Sequence, residues 1–302
     1  MASRSEELSR SRHELVPRFL AAARTIVRDV LPMIMEAHHA PSRAASRKSD
    51  GSLVTATDHE VERRCISALR AALPEATVVA EESEAERMAS FTGSAHEFYA
   101  PMRGNAPLIV VDPIDGTKNF VEGHREFCIA VALVDRVPGG VWPIAGVVAV
   151  PVEDVMFVSD GESVTEERIS SGESSPLVRQ ERAEAQISAS SADRRWLLEN
   201  SVELRSPWVS SGSSVYDMTG TVRGRLHGSV VGSQRFWDLM APLALASAAG
   251  LELQDLVTGE RLTSIRPEDI SDDFRSRLWG LNRKVAILPS GRTVSDVVKH
   301  LG

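Results

Sequence analysis

Leu8, Leu15, Phe19, Ile26, Val30 and Ile34 recur at the interval of one helix face, which predicts a helix over residues 6–39. Pro17 and Pro32 fall inside that segment and are expected to break or kink it. The stretch APSRAASRKSDGSLVT then reads as a polar loop entering a short extended piece. Thr57-Asp58-His59-Glu60 has the Thr-x-x-Glu spacing of a capping box. A helix should follow it, with Val61, Cys65, Leu69 and Leu73 inward and Pro74 as its stop. ATVVAEES reads as a buried strand that runs into carboxylates. Residues 84–107 carry Gly93, Pro101, Gly104 and Pro107 on weak periodicity, so they read as a loop with room for a short helix. Four strand-like runs come next: LIVVD, FCIAVALVD, IAGVVAV and DVMFVS.

GESVTEERISSGESS is a polar excursion, and a boundary is expected near residues 178–185, dividing the chain into halves 1–180 and 181–302. In the second half AQISAS reads as a strand, DRRWLLEN as a short helix and SSVYDMTGTVRG as another helix. LHGSVVG is a strand, WDLMAPLALASAAG a buried helix stopped by glycine, and KVAILP a last strand before a terminal helix. Strands and helices alternate too regularly for an all-α or all-β protein.

Composition narrows the function. At 302 residues, 42% hydrophobic and 25% charged, the chain can bury a large core. A net charge of −8 argues against a protein that grips nucleic acid through its phosphates, but not against a phosphorylated metabolite, because a divalent cation reverses the local sign. Cys65 and Cys128 stand outside any paired or metal-binding spacing and read as reduced core residues. A charged N-terminus and the lack of a long apolar window point to a cytoplasmic protein with no membrane span.

The candidate chemistry is acidic. In VDPIDGTKNF, Asp112 precedes a proline that biases it towards extended backbone, and Pro113 turns the chain so that Asp112 and Asp115 can converge. Gly116 admits a close ligand, and Thr117 can cap a short helix whose amides face an anion. On that stretch alone, an ordinary Asp/Gly turn accounts for the residues equally well. Two further acidic sites shift the balance: Glu81 and Glu82 after a buried strand, and Asp238 at the start of the most apolar helix. Together they suggest one divalent site of hard oxygen ligands, suited to magnesium. His59, His96, His124 and His227 have no ligand spacing.

Glu81-Glu82-Ser83, Asp112 to Thr117 and Trp237-Asp238 resemble the three signature motifs of the inositol monophosphatase family, and KSDGSLVTATD, residues 48–58, resembles its N-terminal motif. The four occur in the family's order, and the similarity spans roughly residues 15 to 290. The resemblance implies a layered αβαβα sandwich of the inositol monophosphatase and fructose bisphosphatase type. It implies two or three Mg²⁺ ions: one on Glu81, Asp112 and the Ile114 carbonyl, one on Asp112, Asp115 and Asp238, and a third near Glu81 reached by Asp58 through water. Thr117 with Glu81 would orient the attacking water, and the Gly116 and Thr117 amides would hold the phosphate. Lys48 could add a nearby positive charge, and Glu82 would stand behind Glu81.

The family's substrate loop aligns with residues 210–218, so Gly212, Ser213 and Ser214 would face the leaving group beside Asp115, with Arg235 as a further contact. Inositol-selective members carry a glutamate seven residues before the last metal aspartate; here that position is Val231. The expected activity is a Mg²⁺-dependent, lithium-sensitive hydrolysis of a small phosphate monoester, of a sugar, cyclitol or histidinol, by a homodimer. A 3′(2′),5′-bisphosphate nucleotidase or sugar bisphosphatase is the alternative within the family. A non-catalytic interaction or transcription accessory protein is the alternative of another class.

Overall fold

The computed structural model describes residues 4–40, 44–48, 51–180, 186–232 and 234–300. Ser49 and Asp50 of the N-terminal motif, residues 181–185 of the expected boundary, and the Leu8 side chain lie outside what is described.

Helix α1 (Arg4–His39) runs without interruption through Pro17 and Pro32, correcting the expected break. Phe19, Ala23, Val27, Val30 and Ile34 are wholly buried along it, and that burial outweighs the roughly 3 kcal/mol an interior proline costs. The hairpin β1 (Ala45–Arg47) and β2 (Leu53–Thr55) leads into α2 (Ala56–Ala72). The cap of α2 is Thr55 rather than Thr57, and Asp58 closes the capping box by accepting the Thr55 N–H at 2.9 Å. After β3 (Thr77–Ala80), residues 84–107 hold more helix than the sequence suggests: α3 (Glu81–Ser90), α4 (Ala95–Phe98) and a single turn at Ala100–Met102. Glu81 and Glu82 thus open a helix, where its dipole favours negative charge.

Strand β4 (Leu108–Asp115), the short α5 (Thr117–Glu122), β5 (Cys128–Val137), β6 (Gly140–Val150) and β7 (Val155–Ser159) match the expected runs. The polar excursion itself forms β8 (Val164–Arg168) and β9 (Ser174–Pro176). Among the described residues these build a seven-stranded sheet in simple order β3 to β9, with β3 and β4 parallel and every later pair antiparallel.

The remainder runs β10 (Ile187–Ser188), α6 (Ser191–Glu199), β11 (Val202–Leu204), β12 (Trp208–Val209), α7 (Ser214–Val222), β13 (Gly228–Val231) and α8 (Phe236–Ala248). Then come β14 (Leu251–Asp255), β15 (Arg261–Leu262), β16 (Val285–Pro289), α9 (Val294–Val297) and β17 (Val298–His300). The expected terminal helix is therefore one turn that continues into a strand paired with β11. The second sheet has the order β12-β10-β13-β16-β14-β15.

Strand alternation sorts the core into layers. Ile109, Val111, Ile129, Val131 and Val147 face α1 and α2, while Leu108, Val110, Ala130, Ala132 and Val148 face α7 and α8. Leu251, Leu253, Val285 and Ile287 cover those two helices from the second sheet, whose outer face packs Leu197 of α6 and Val294 and Val297 of α9. The order helix, sheet, helix, sheet, helix is the expected layered sandwich. Cys65 and Cys128 are buried and free. No helix among the described residues is long and apolar enough to cross a membrane.

Candidate metal centre and active site

Residues three apart on a regular strand point to opposite faces. Asp112 pairs with Ala130 and Asp115 with Cys128, so between them two residues on β4 oppose one on β5 and the strand bulges. Pro113, which has no N–H to leave unpaired, sits in the bulge. The extra residue turns both aspartates to one side. There Asp238, three residues into α8, joins them, and one carboxylate oxygen from each lies within 4.8 Å of the others.

Donors fix these acids unequally. Asp115 accepts from Ser213 Oγ, from Ser214 Oγ at 3.2 Å and from the Val215 N–H at 2.9 Å, which ties β4 to the start of α7. Asp238 accepts the Arg235 N–H at 2.9 Å. Asp112 Oδ1 is buried with no hydrogen-bond partner. Burial pushes Asp238 up to about 8, with Asp115 and Glu81 adding repulsion. Asp115 reaches only about 6, because the bonds from Ser213 and Val215 oppose its burial. Asp112 stands well above the usual carboxylate range through burial and then the charge of Glu81. A crowd of desolvated acids with one orphaned oxygen fits a hard cation, which satisfies the lone pairs and neutralises the repulsion.

Glu81 faces this cluster from the start of α3 across a cleft of about 560 Å³ that Ile114, Gly116, Thr117, Gly212 and Arg235 also line. Glu62 of α2 holds the turn in place by accepting the Glu82 N–H at 2.7 Å and the Ser83 N–H at 2.8 Å. Lys48 is no solvated surface lysine: its Nζ lies 2.6 Å from Glu81 and 2.7 Å from Glu82. One ammonium serves two carboxylates, so Glu82, pushed up to about 8 by burial and then by Glu81, stays under-compensated.

Thr117 does not cap α5. Gly116 holds the cap position with φ of 84°, and a Cβ there would stand 3.0 Å from the Glu126 carbonyl oxygen and from Ser213 Cβ. The Thr117 hydroxyl instead meets the Ile114 carbonyl at 3.0 Å and Asp58 Oδ1 at 3.2 Å. Asp58 is fully buried, and burial raises its carboxyl above the ordinary value. Asn119 donates to the Ser211 carbonyl at 2.9 Å, anchoring the loop that carries Gly212.

Lys48, Glu81, Asp112, Ile114, Asp115, Gly116, Thr117, Gly212, Arg235 and Asp238 therefore line one cleft, with Asp58, Glu82 and Ser213 bonded to its residues from behind. Ser213, expected against the leaving group, uses its hydroxyl to donate to Asp115 and to accept the Tyr216 N–H at 3.1 Å. Arg235 lines the cleft and donates from Nη1 to the Leu278 carbonyl at 2.9 Å. Glu62 and Asn119 escaped the sequence reading. Glu62 adjoins Val61 on the apolar face of a helix, and Asn119 is a lone amide in the short helix after Thr117, so neither carried a spacing signal.

The chain matches the inositol monophosphatase family over residues 16–275. An inositol monophosphatase of Dictyostelium discoideum is 27% identical over 244 residues, which cover 77% of this chain and 82% of that protein. The 3′(2′),5′-bisphosphate nucleotidase CysQ of Escherichia coli is 30% identical over 216 residues, 69% of this chain and 78% of that one. Among solved structures, an IMPase of Thermotoga maritima superposes with a TM-score of 0.62 at 20% identity, covering 89% of this chain and 91% of the other. An IMPase/NADP phosphatase complexed with Mg²⁺ and phosphate gives 0.61 at 16%, covering 91% and 90%. These two support the fold. With the family matched over most of its length, the non-catalytic reading falls away: the chain belongs to the inositol monophosphatase family and is a Mg²⁺-dependent phosphoric monoester hydrolase.

Proposed function

We propose that the protein hydrolyses the phosphate monoester of a small polyhydroxylated alcohol. The observation that carries this reading is the convergence of Asp112, Asp115 and Asp238 beside a buried Asp112 oxygen that no protein donor satisfies. Glu81, Asp112, Asp115, Asp238 and the Ile114 carbonyl would hold the magnesium ions, two or three in number. Bound there, magnesium supplies positive charge for the phosphate and leaving oxygens and acidifies water.

The chain's own residues supply the rest. Thr117, its hydroxyl located by Ile114 and Asp58, orients the attacking water together with Glu81. As the water attacks phosphorus it gives a proton to the Thr117 hydroxyl, which hands its own to the buried Asp58 carboxylate 3.2 Å away. The Gly116 and Thr117 amides, left open because no side chain caps α5, bind the phosphate. Ser213, Ser214 and Val215 keep Asp115 aimed at the site. Lithium is expected to inhibit by taking a magnesium position. The enzyme would work in the cytoplasm as a homodimer, which light scattering tests.

A bisphosphorylated substrate is the second reading, favoured by Arg47, Lys118 and Arg235 on the cleft wall and by the CysQ likeness. Phosphate release with Mg²⁺ separates the two over inositol 1-phosphate, histidinol phosphate, sugar phosphates and adenosine 3′,5′-bisphosphate, with Asp115→Asn as the blank. Preference for the nucleotide would overturn the polyol reading.

A further inference from the structure

Beside the metal cleft lies a second cavity of about 180 Å³, and Gly212 and Asp238 line both. It is smaller than the roughly 300–1,000 Å³ of drug-sized sites, so it suits a small alcohol rather than a nucleoside. Its polar wall includes Ser188, Ser190, Ser214, Gln234 and Asp217, with no lysine or arginine among the described residues that line it. Val231 also lines the cavity and offers no polar group.

We infer that Asp217 is the specificity-determining carboxylate of this enzyme: from the start of α7 it accepts the hydroxyls of a neutral polyhydroxylated alcohol held in this cavity. The inference rests on the phosphomonoesterase reading above. All hydrogen bonds to Asp217 among the described residues come from Ser211, whose N–H stands 3.2 Å away. A largely buried carboxylate with a single donating residue gains when a ligand brings more donors, and vicinal hydroxyls match its two oxygens. Burial, ahead of the opposing Ser211 bonds, pushes the Asp217 carboxyl up to about 6, so it is ionised at neutral pH. A second phosphate brings negative charge against Asp217 and Asp238 and is disfavoured in this cavity.

Gln234, on the lining of the same cavity, is held by its own hydrogen bonds. Gln234 accepts the Gly232 N–H at 2.6 Å and donates to Asp193 at 3.4 Å, and Asp193 pairs with Lys284 at 3.3 Å. A cavity fixed in this way selects by shape as well as by charge.

The test is the ratio of kcat/KM for inositol 1-phosphate to that for cyclohexyl phosphate, the same ring without hydroxyls, with Mg²⁺. Wild type should favour the hydroxylated ester, and Asp217→Asn should lower the ratio about tenfold, chiefly through KM. Asp217→Glu, which keeps the carboxylate, should retain most of the selectivity. An unchanged ratio in a folded Asp217→Asn enzyme, or no preference in wild type, overturns the assignment and leaves the phosphatase reading standing. A wild-type protein that hydrolyses neither ester, nor any other phosphate monoester, removes both.

Discussion

The ammonium of Lys48 lies 2.6 Å from the carboxylate of Glu81 and 2.7 Å from that of Glu82, so a protein cation occupies the edge of the acidic cleft proposed to hold magnesium. Lys48→Met leaves Glu82 buried and unpaired. The expected cost in magnesium-free buffer is about 2 kcal/mol, below the ~3–5 kcal/mol of a severed buried pair, because Glu82 can take up a proton. Magnesium should then raise the melting temperature more in the variant than in wild type, having gained a ligand that no longer faces a competing cation. Equal magnesium-induced shifts in the two proteins would refute this.

Asp115→Asn removes one charge from the cluster while keeping a side chain that can accept from Ser213 and Val215. The fold should survive, and relief of repulsion on Asp112 and Asp238 should raise the stability of the metal-free protein slightly. Turnover should fall at least about a hundredfold, on the scale of losing one transition-state charge contact. Circular dichroism with phosphate-release kinetics tests both halves, and near-normal turnover in a folded variant would remove Asp115 from the metal set.

Magnesium stabilisation should depend on pH in a definite direction. In the metal-free fold Asp238 is pushed up to about 8 and Asp115 to about 6, both from 3.8. A raised carboxyl pKa means that the unfolded chain ionises first, so stability is lost as pH climbs from about 4 towards 8. Magnesium replaces the protons and reverses that loss. Its effect on the melting temperature should be largest near pH 8 and vanish near pH 4–5. A shift constant across that range would mean that the ion binds elsewhere.

The acidic cluster was legible because Asp112 and Asp115 beside Pro113 and Gly116, Glu81 after a buried strand and Asp238 in an apolar helix break the usual rule of burial, and that conflict is itself a signal. Asp112, Asp115 and Asp238 are where the motifs put them. What brings Asp112 and Asp115 to one side, a bulge in β4, depends on pairing with β5 and is not written in local spacing. The same holds for α1: local rules break it at Pro17 and Pro32, and only burial of one long face overrides them. Thr57 looked like the cap because Glu60 follows at the right interval, yet Thr55 with Asp58 satisfies the same rule two residues earlier. Asp217 carried no signal, since a helix-start aspartate is ordinary until the cavity it lines is seen.

Glu153 joins the turn after β6 to α7, accepting Tyr216 Oη at 2.8 Å, Arg223 at 2.9 Å and Arg225 at 3.0 Å. Burial opposes its ionisation, but the Arg225, Arg223 and Tyr216 bonds prevail and hold the carboxyl down at about 2, against 4.5. A depressed carboxyl stabilises the fold above about pH 4.5, and that contribution is lost as pH falls towards 2. Glu153→Gln should therefore lower stability by about 1–2 kcal/mol at neutral pH, after allowing for solvent screening at this half-buried site. The deficit should shrink steadily in acid and disappear near pH 2. Urea unfolding of both proteins across that range measures it directly: a deficit that stays constant with pH would mean that Glu153 acts through packing alone, and no deficit at neutral pH would mean that the two arginines find other partners when it is neutralised.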